Sequence, residues 1–365
     1  MKILILQPDL RIGGIEKSLI NFINTFNKDN KIDLFLLRKS GELLKNVPSN
    51  VNIIDGSSAV NNYNGIKRKI ATLLNLKSFY KKYTAFFNTE YDIAIAYQGL
   101  NINTMNILLN CVIAKQKISF LHGDPRCAKK YVLKKALCAN KVICVSNSCK
   151  KELIKLYPKK KEKVFYLYNL QDNIAIKKLA SERCEECFDK SKINFVCIAR
   201  MTPEKGHLRL LNVIKRLAEE NDGSFKFYLI GGGPLFDNVK NKIKKLKIER
   251  FVKLLGEQEN PYAYLKMADY LVLASYNEAA PMVFGESAIL GVPIISTETI
   301  SAKELVGNFG IVCQNNEAGI YSAIKEALSS HKTYQNENIM LKSKEDYMEN
   351  FYNIIDAKVK GQDNG

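Results

Sequence analysis

Two carboxylates eight positions apart, Glu278 and Glu286, frame the segment SYNEAAPMVFGESAILGVPIIST, with Pro281 between them. Proline suits the first turn of a helix, where its missing N–H costs nothing, and glycine suits the position just past a helix end. The pattern therefore predicts a helix over Pro281 to Leu290, stopped at Gly291 and followed by a strand from Val292 to Ser296. Glu278 falls in the loop before this helix, Val283 at its start and Glu286 inside it. A helix start points unbonded N–H groups and a partial positive charge outward, which favours an anion. One carboxylate beside that anion site and a second about two turns along suit a ligand with phosphate at its centre and hydroxyls at both ends. A nucleotide-sugar is such a ligand.

Further groups fall where strands should end. Arg200 and Lys205 lie in IARMTPEKGH, after the run INFVCIA. Two cations near a helix start oppose the helix dipole unless an anion offsets them. An Arg fork with a mobile Lys suits a diphosphate. Gly232 and Gly233, within GGGP after FKFYLIG, leave room for a nucleotide, although any αβ protein has such turns. Gly13 and Gly14 follow the first strand and open the first helix, where glycine permits a tight turn and close approach to a ligand. The pattern is not GxGxxG, so a nicotinamide cofactor is not favoured. His122 ends a strand in FLHGDP and reads equally as a packing histidine or as a hydrogen-bonding partner of a substrate hydroxyl, with Asp124 second to it. YNLQDN, from Asn169 to Asp172, reads as a polar turn where the chain would cross between domains.

The elements that must position these groups alternate along the chain. Strand-like runs fall at 2–8, 31–37, 51–55, 91–97, 117–123, 141–147 and 163–169 in the first half. In the second half they fall at 193–199, 225–231, 251–256, 269–275, 292–296 and 310–314. Between several of them lie helical patterns, as in IEKSLINFINTF, where Ile15, Leu19, Ile20, Ile23 and Phe26 share one face. Such alternation predicts parallel sheets covered on both faces. The expected fold is α/β, with two tandem Rossmann-like, doubly wound domains facing a cleft. The first spans 1–172 and the second 193–333, joined by a polar linker at 173–192. A tail of helical composition, 334–365, follows, and packing back on the first domain is one place for it.

The net charge of +18 is unevenly placed. Residues 1–180 hold 31 Lys and Arg against 12 Asp and Glu, whereas residues 181–365 hold 24 against 25. The excess concentrates in IKRKIATLLNLKSFYKKY (66–83), in Lys129 to Lys135 and in KKELIKLYPKKKEK (150–163). It reads as a solvated helix face, or as a surface for anionic lipid headgroups or a phosphate-bearing acceptor. Nucleic acid is disfavoured, because no binding motif accompanies the charge. No apolar run is long enough to span a bilayer. MKILILQPDL reads as a buried strand and not as a signal peptide. Nine scattered cysteines, several inside strand or helix patterns, read as free thiols of a reducing cytoplasm. Cys184 and Cys187 form one CxxC, but His122, His207 and His331 do not complete a metal site by spacing.

Taken in order, GGIEKS, LHG (121–123), VSN (145–147), YNLQD, ARMTPEKG, GGGP and the Glu278-x7-Glu286 pair followed by Gly-Val-Pro resemble the family 4 glycosyltransferases of GT-B architecture. The resemblance spans nearly the whole chain. It implies a metal-independent enzyme that needs no cofactor and retains anomeric configuration, moving a hexosyl or N-acetylhexosaminyl group from a UDP- or GDP-sugar, UDP being favoured. The acceptor implied is a glycan of bacterial cell-surface polysaccharide synthesis, and the basic first half adds the expectation of a lipid-linked acceptor at the cytoplasmic face of an anionic membrane. Carried across by position, Arg200 and Lys205 would hold the donor diphosphate, and Glu278 would contact the donor sugar. Glu286 would bind the ribose, with Val283, Gly232 and Gly233 beside the nucleotide. Gly13 and Gly14 would approach the phosphates or acceptor, and His122 the transferred sugar. Ala279 and Ala280 depart from the Gly and aromatic residue that often follow the first Glu in that family, which bears on sugar selectivity. Two other readings stay open: a nucleotide-sugar epimerase of similar architecture, and a catalytically silent partner subunit. The intact Arg200, Lys205, Glu278 and Glu286 set speaks against the second.

Overall fold

The computed structural model describes residues 1–60, 77–184, 187–220, 223–329, 334 and 343–358. Residues 66–76 of the first lysine-rich stretch, and 335–342 and 359–365 of the tail, lie outside them. The chain divides into two compact units, one of Met1–Leu170 with Lys342–Gly365 and one of Gln171–Leu341.

The first unit is built on seven parallel strands. These are β1 (Lys2–Gln7), β2 (Lys31–Leu36), β3 (Asn52–Asp55), β4 (Tyr91–Ala96), β5 (Ala114–Leu121), β6 (Lys141–Cys144) and β7 (Val164–Tyr166). Their order is β3-β2-β1-β4-β5-β6-β7. Side chains alternate across a strand, so β1 feeds two cores. Ile3 and Ile5 join Leu19, Ile23 and Phe26 of the helix Gly14–Phe26 on one face. Leu4 and Leu6 join Met105, Ile107 and Leu108 of the helix Ile102–Cys111 on the other. The first core also takes in a distant segment, the helix Lys344–Asp356. Its start carries a capping box in which the Ser343 hydroxyl accepts from the Asp346 N–H and the Asp346 carboxylate accepts from the Ser343 N–H. Phe351 is fully buried and packs edge-on against Phe26 and Phe22, with ring centroids 4.9 and 5.2 Å apart. Gln116 Nε2 and Lys141 Nζ both donate to the Ile355 carbonyl near the end of that helix.

The second unit holds six parallel strands, β8 (Ile193–Ile198), β9 (Phe225–Ile230), β10 (Val252–Gly256), β11 (Tyr270–Leu273), β12 (Ile294–Thr297) and β13 (Gly310–Cys313). Their order is β10-β9-β8-β11-β12-β13. Each strand expected from sequence occurs, with ends shifted by a few residues. β6 stops at Cys144 and not at 147, because the Ser146 hydroxyl caps the next helix, Asn147–Leu156, accepting from the Cys149 N–H at 3.1 Å. The segment given to a linker, 173–192, contains the helix Asn173–Ala180, capped by Asp172 and placed in the second unit. No helix among the described residues is long and apolar enough to cross a membrane.

Candidate functional site

In the second sheet the strand order reverses direction between β8 and β11. The crevice outside the carboxyl ends of strands at such a switch point is where open α/β sheets take ligands. Arg200 and Lys205 follow β8, and Glu278 follows β11, so topology alone brings them to one place. Lys205 Nζ lies 2.5 Å from Glu278 Oε1, and the Ser275 hydroxyl donates to the same oxygen at 2.8 Å. Both charged side chains are largely shielded, with 24% and 11% exposed. The short 3-10 turn Pro203–Lys205 that carries Lys205 ends at Gly206 in the left-handed region, φ +69°. A Cβ there would stand 1.9 Å from the Ala274 carbonyl oxygen, so glycine is required for the two loops to meet. A backbone bond from Tyr276 N–H to Glu204 O, 2.8 Å, ties them again.

The glycine run lies on the other side of Arg200. Gly231, φ +133°, sits where a Cβ would meet the Ala199 carbonyl at 2.2 Å, and the Gly232 carbonyl accepts from the Met201 N–H at 2.6 Å. Gly233 is exposed, and a Cβ on it would stand 3.2 Å from Arg200 Cγ. Thus Gly232, Gly233 and the exposed Arg200 form one rim of the crevice.

Glu286 lies inside the helix Met282–Leu290, which starts one residue later than expected, with Pro281 as its extended N-cap. The helix is buried along most of its length, and Glu286 is only 4% exposed. The Tyr262 hydroxyl, from the neighbouring helix Pro261–Lys266, donates to Glu286 Oε1 at 3.2 Å. Burial and the adjacent carboxylate push the Tyr262 phenol well above its ordinary pKa, so it stays a donor. Val283 is buried in the first turn, beside Met282, whose carbonyl accepts from Gln171 Nε2 at 2.9 Å.

The remaining candidates belong to the first unit. Gly13 is extended, φ −172°, a conformation any residue adopts, so backbone freedom is not what the turn demands; Gly14 opens the helix Gly14–Phe26. Next to that helix start, Gln7 Nε2 donates to Glu16 Oε1 at 3.1 Å. His122 follows β5. Its ring lies against Tyr97, centroids 4.8 Å apart, and near Phe120 at 5.9 Å. Burial lowers its pKa to about 3, so the imidazole is neutral, and its Nε2 is buried without a hydrogen-bond partner among the described residues. A neutral ring nitrogen so placed can donate to or accept from a hydroxyl. Asp124 is committed elsewhere: Arg126 Nε and Nη2 grip both its oxygens at 2.6 to 3.1 Å.

Sequence reasoning passed over Ser275, Tyr262 and Arg209 in the second unit, and Asp9 in the first. Asp9 is buried near the carboxyl edge of β1 and paired with Arg11 at 2.9 Å and Arg38 at 3.1 Å. The signal for Ser275 was its place just past an apolar strand; the others are visible only through their partners. Among the described residues no three His, Cys, Asp or Glu side chains gather as a metal cluster, and none of the cysteines forms a disulfide.

Residues 181–339 match the family described as glycosyl transferases group 1. The chain is 30% identical over 161 residues to an uncharacterised glycosyltransferase of Methanocaldococcus jannaschii, covering 43% of this chain and 39% of that one. It is also 30% identical over 179 residues to the N-acetylgalactosamine-N,N'-diacetylbacillosaminyl-diphospho-undecaprenol 4-alpha-N-acetylgalactosaminyltransferase of Campylobacter jejuni, covering 48% and 46% of the two chains. These matches span less than half the length of either curated relative. A crystal structure of Anabaena Alr3699/HepE in complex with UDP and glucose is similar over 98% of this chain and 100% of that one, at a TM-score of 0.73 and 17% identity. At that identity the likeness shows the fold, two Rossmann-like α/β units of the GT-B kind.

Proposed function

We propose that this protein is a retaining glycosyltransferase that moves a hexosyl or N-acetylhexosaminyl group from a nucleotide-diphosphate sugar, UDP-linked in preference to GDP-linked, to a glycan acceptor. The observation that carries the reading is the Lys205–Glu278–Ser275 cluster at the β8/β11 switch point, flanked by Arg200 and the glycine rim. In this reading the donor diphosphate lies between Arg200, Lys205 and the Gly232–Gly233 backbone. The ribose hydroxyls bond Glu286, whose orientation Tyr262 holds. The sugar hydroxyls bond Glu278 when the diphosphate draws Lys205 toward itself.

The chemistry follows from those placements. The acceptor oxygen attacks the anomeric carbon from the face that the diphosphate leaves. The bond from that carbon to the phosphate oxygen breaks, its electron pair stays on the leaving diphosphate, and the acceptor's proton passes to a phosphate oxygen. The residues' part is electrostatic: cations fixed where negative charge develops, in a shielded site, contribute more than they would in water. His122 of the first unit, neutral over the physiological range, is the residue proposed to hydrogen-bond a sugar hydroxyl.

The name of the Campylobacter relative includes a diphospho-undecaprenol acceptor, and an isoprenoid-diphosphate glycan of bacterial cell-surface polysaccharide synthesis is the acceptor class that fits a lysine-rich first half. The reaction is proposed to run without metal at the cytoplasmic face of the membrane.

Thermal shift with UDP, GDP, CDP and ADP, each with EDTA, tests the donor site. A ligand at about 100 times its Kd stabilises by roughly 2.7 kcal/mol. The expected outcome is a clear upward shift with UDP that is lost in Glu286→Ala. Absence of a shift with all four nucleotides, with or without Mg²⁺, would remove the reading.

A further inference from the structure

Arg209 is buried, 5% exposed, in the first turn of the helix His207–Glu220. A buried cation near a helix start is doubly costly, through desolvation and through the dipole. Its compensation comes from oxygens of the protein's own loops. Nε donates to the Ala274 carbonyl at 2.8 Å, Nη2 to Asn315 Oδ1 at 2.7 Å and Nη1 to the Asn315 carbonyl at 3.3 Å. The guanidinium carbon lies 3.7 Å from the centre of the Tyr276 ring. Asn315, just past β13, donates in turn to the Tyr276 carbonyl at 3.0 Å and the Glu298 carbonyl at 3.3 Å. The same loop is held at the Ser275 carbonyl by Thr297 Oγ1, 2.6 Å, and at the Ala279 carbonyl by Ser301 Oγ. Four carbonyls between Ala274 and Ala279 are therefore occupied by side chains from other elements, and Glu278 sits within that span.

We propose that Arg209 and Asn315 are a positioning pair that locks the Ala274–Ala279 loop against the Lys205 turn and so fixes the Glu278 carboxylate for the donor sugar. The Ala274 carbonyl is the keystone: Gly206 admits it and Arg209 Nε binds it, so one atom sets the spacing of both loops. Neither residue need touch the donor. A lysine at 209 keeps the charge but cannot span Ala274 and Asn315 in the fixed geometry of the fork. This inference rests on the reading of Glu278 as the donor-sugar contact, and its test separates the two.

The test compares wild type with Arg209→Lys, Arg209→Met and Asn315→Ala. Ligand-free hydrogen exchange is followed along the whole chain, and the proteins are titrated with UDP and with UDP-N-acetylglucosamine and UDP-galactose. The expected result is faster exchange confined to 274–280 and 202–206. The affinity gained by adding a sugar to UDP should fall on the order of tenfold, the scale of about 1.4 kcal/mol, while UDP affinity itself changes little. Combining Arg209→Lys with Asn315→Ala should cost less than the two losses added, as for residues in one network. Unchanged exchange in both Arg209 variants overturns the positioning role. Equal loss of UDP and UDP-sugar binding overturns it too, since that marks general damage. If wild type binds neither UDP nor any UDP-sugar, the functional reading fails, while the exchange data still decide whether Arg209 and Asn315 hold the loop.

Discussion

Lys205 and Glu278 form an ion pair that is shielded without being deeply buried, and this placement separates function from stability. Without Lys205 the Glu278 carboxylate keeps its hydrogen bond from Ser275 and some access to water, so removing Lys205 should cost less than the roughly 3–5 kcal/mol of breaking a fully buried pair and leave the fold in place. If Lys205 stabilises a departing diphosphate, its loss should appear in rate. Lys205→Ala is expected to lower kcat on the order of 10²-fold or more in a protein that remains folded; near-normal turnover would remove Lys205 from the mechanism. The buried histidines give a second prediction. Burial lowers His122 to about 3 and His207 to about 4, from an ordinary 6.5. Between these values and 6.5 the unfolded chain takes up protons that the native state refuses, so stability rises with pH across that window. Stability should be at its full value above about 6.5 and fall progressively below it. Unfolding curves taken from pH 7 to pH 4 check this, and His207→Gln should flatten the profile. At this scale the sequence was legible where charge stood against expectation, as with two cations near a helix start. It was not legible where a role depends on a distant partner. Nothing adjacent to Tyr262 marks it as the donor to Glu286, and nothing beside Arg209 marks Ala274 or Asn315 as its acceptors.

The elements that carry these residues were read from two periodicities, and the failures lie where a period had too few apolar positions. The central strand runs were visible because strands buried on both faces are nearly continuous in apolar residues, as in β1, where Ile3 to Leu6 are wholly buried, whereas the half-exposed β3, β10 and β13 were legible from short β-branched and apolar runs between helical patterns. The helix Asn173–Ala180 was taken for linker because only Ile176 and Ala180 are buried on it, while Ile174 is 79% exposed. Its signal was the Asp172 cap, which accepts from the Ala175 N–H at 3.1 Å. The helix Lys344–Asp356 had a fuller pattern, with Tyr347, Phe351, Ile354 and Ile355 buried at helical spacing. Packing back on the first domain was one place open to it, but its partners Phe22 and Phe26 could not be named, since they lie more than three hundred residues earlier in the chain. Its contribution can be measured. Phe351 is fully buried among aromatic rings, and truncating such a side chain costs roughly 3–5 kcal/mol through lost burial and the cavity left behind. Phe351→Ala is expected to lower the urea midpoint of the first unit, followed through exchange of β1 and β5 amides, and to leave exchange in β8 and β11 unchanged. Equal loss in both units would mean that they unfold as one.

At the scale of the whole molecule the charge excess of the first half remains to be explained, and the structure gives part of it a place. The helix Lys130–Ala136 and the turn Pro158–Lys163 come together where the Tyr157 hydroxyl donates to the Lys130 carbonyl at 3.5 Å. Around this junction Lys129, Lys130, Lys134, Lys155, Lys159, Lys160 and Lys161 are exposed. Tyr131 and Leu156 stand among them, 45% and 44% exposed. Apolar side chains within a field of lysines suit an interface where headgroup phosphates meet acyl chains, each lysine contributing about 1 kcal/mol near an anionic surface. A purely solvated face would carry the lysines with no reason to expose Tyr131 and Leu156 together. Flotation with vesicles of neutral lipid, and of the same lipid with about one third anionic lipid, distinguishes the two. Wild type should bind the anionic vesicles at low salt and lose most of that binding near 0.5 M salt, where screening shortens the reach of charge to roughly 4 Å. Lys159→Glu, Lys160→Glu and Lys161→Glu together should weaken binding at least tenfold. The UDP thermal shift should be unchanged, because these positions belong to the first unit and the donor groups to the second. Equal binding of wild type to neutral and anionic vesicles at low salt would return the lysines to the role of a solvated face. The lipid-linked acceptor would then have to be sought through turnover assays with soluble glycans.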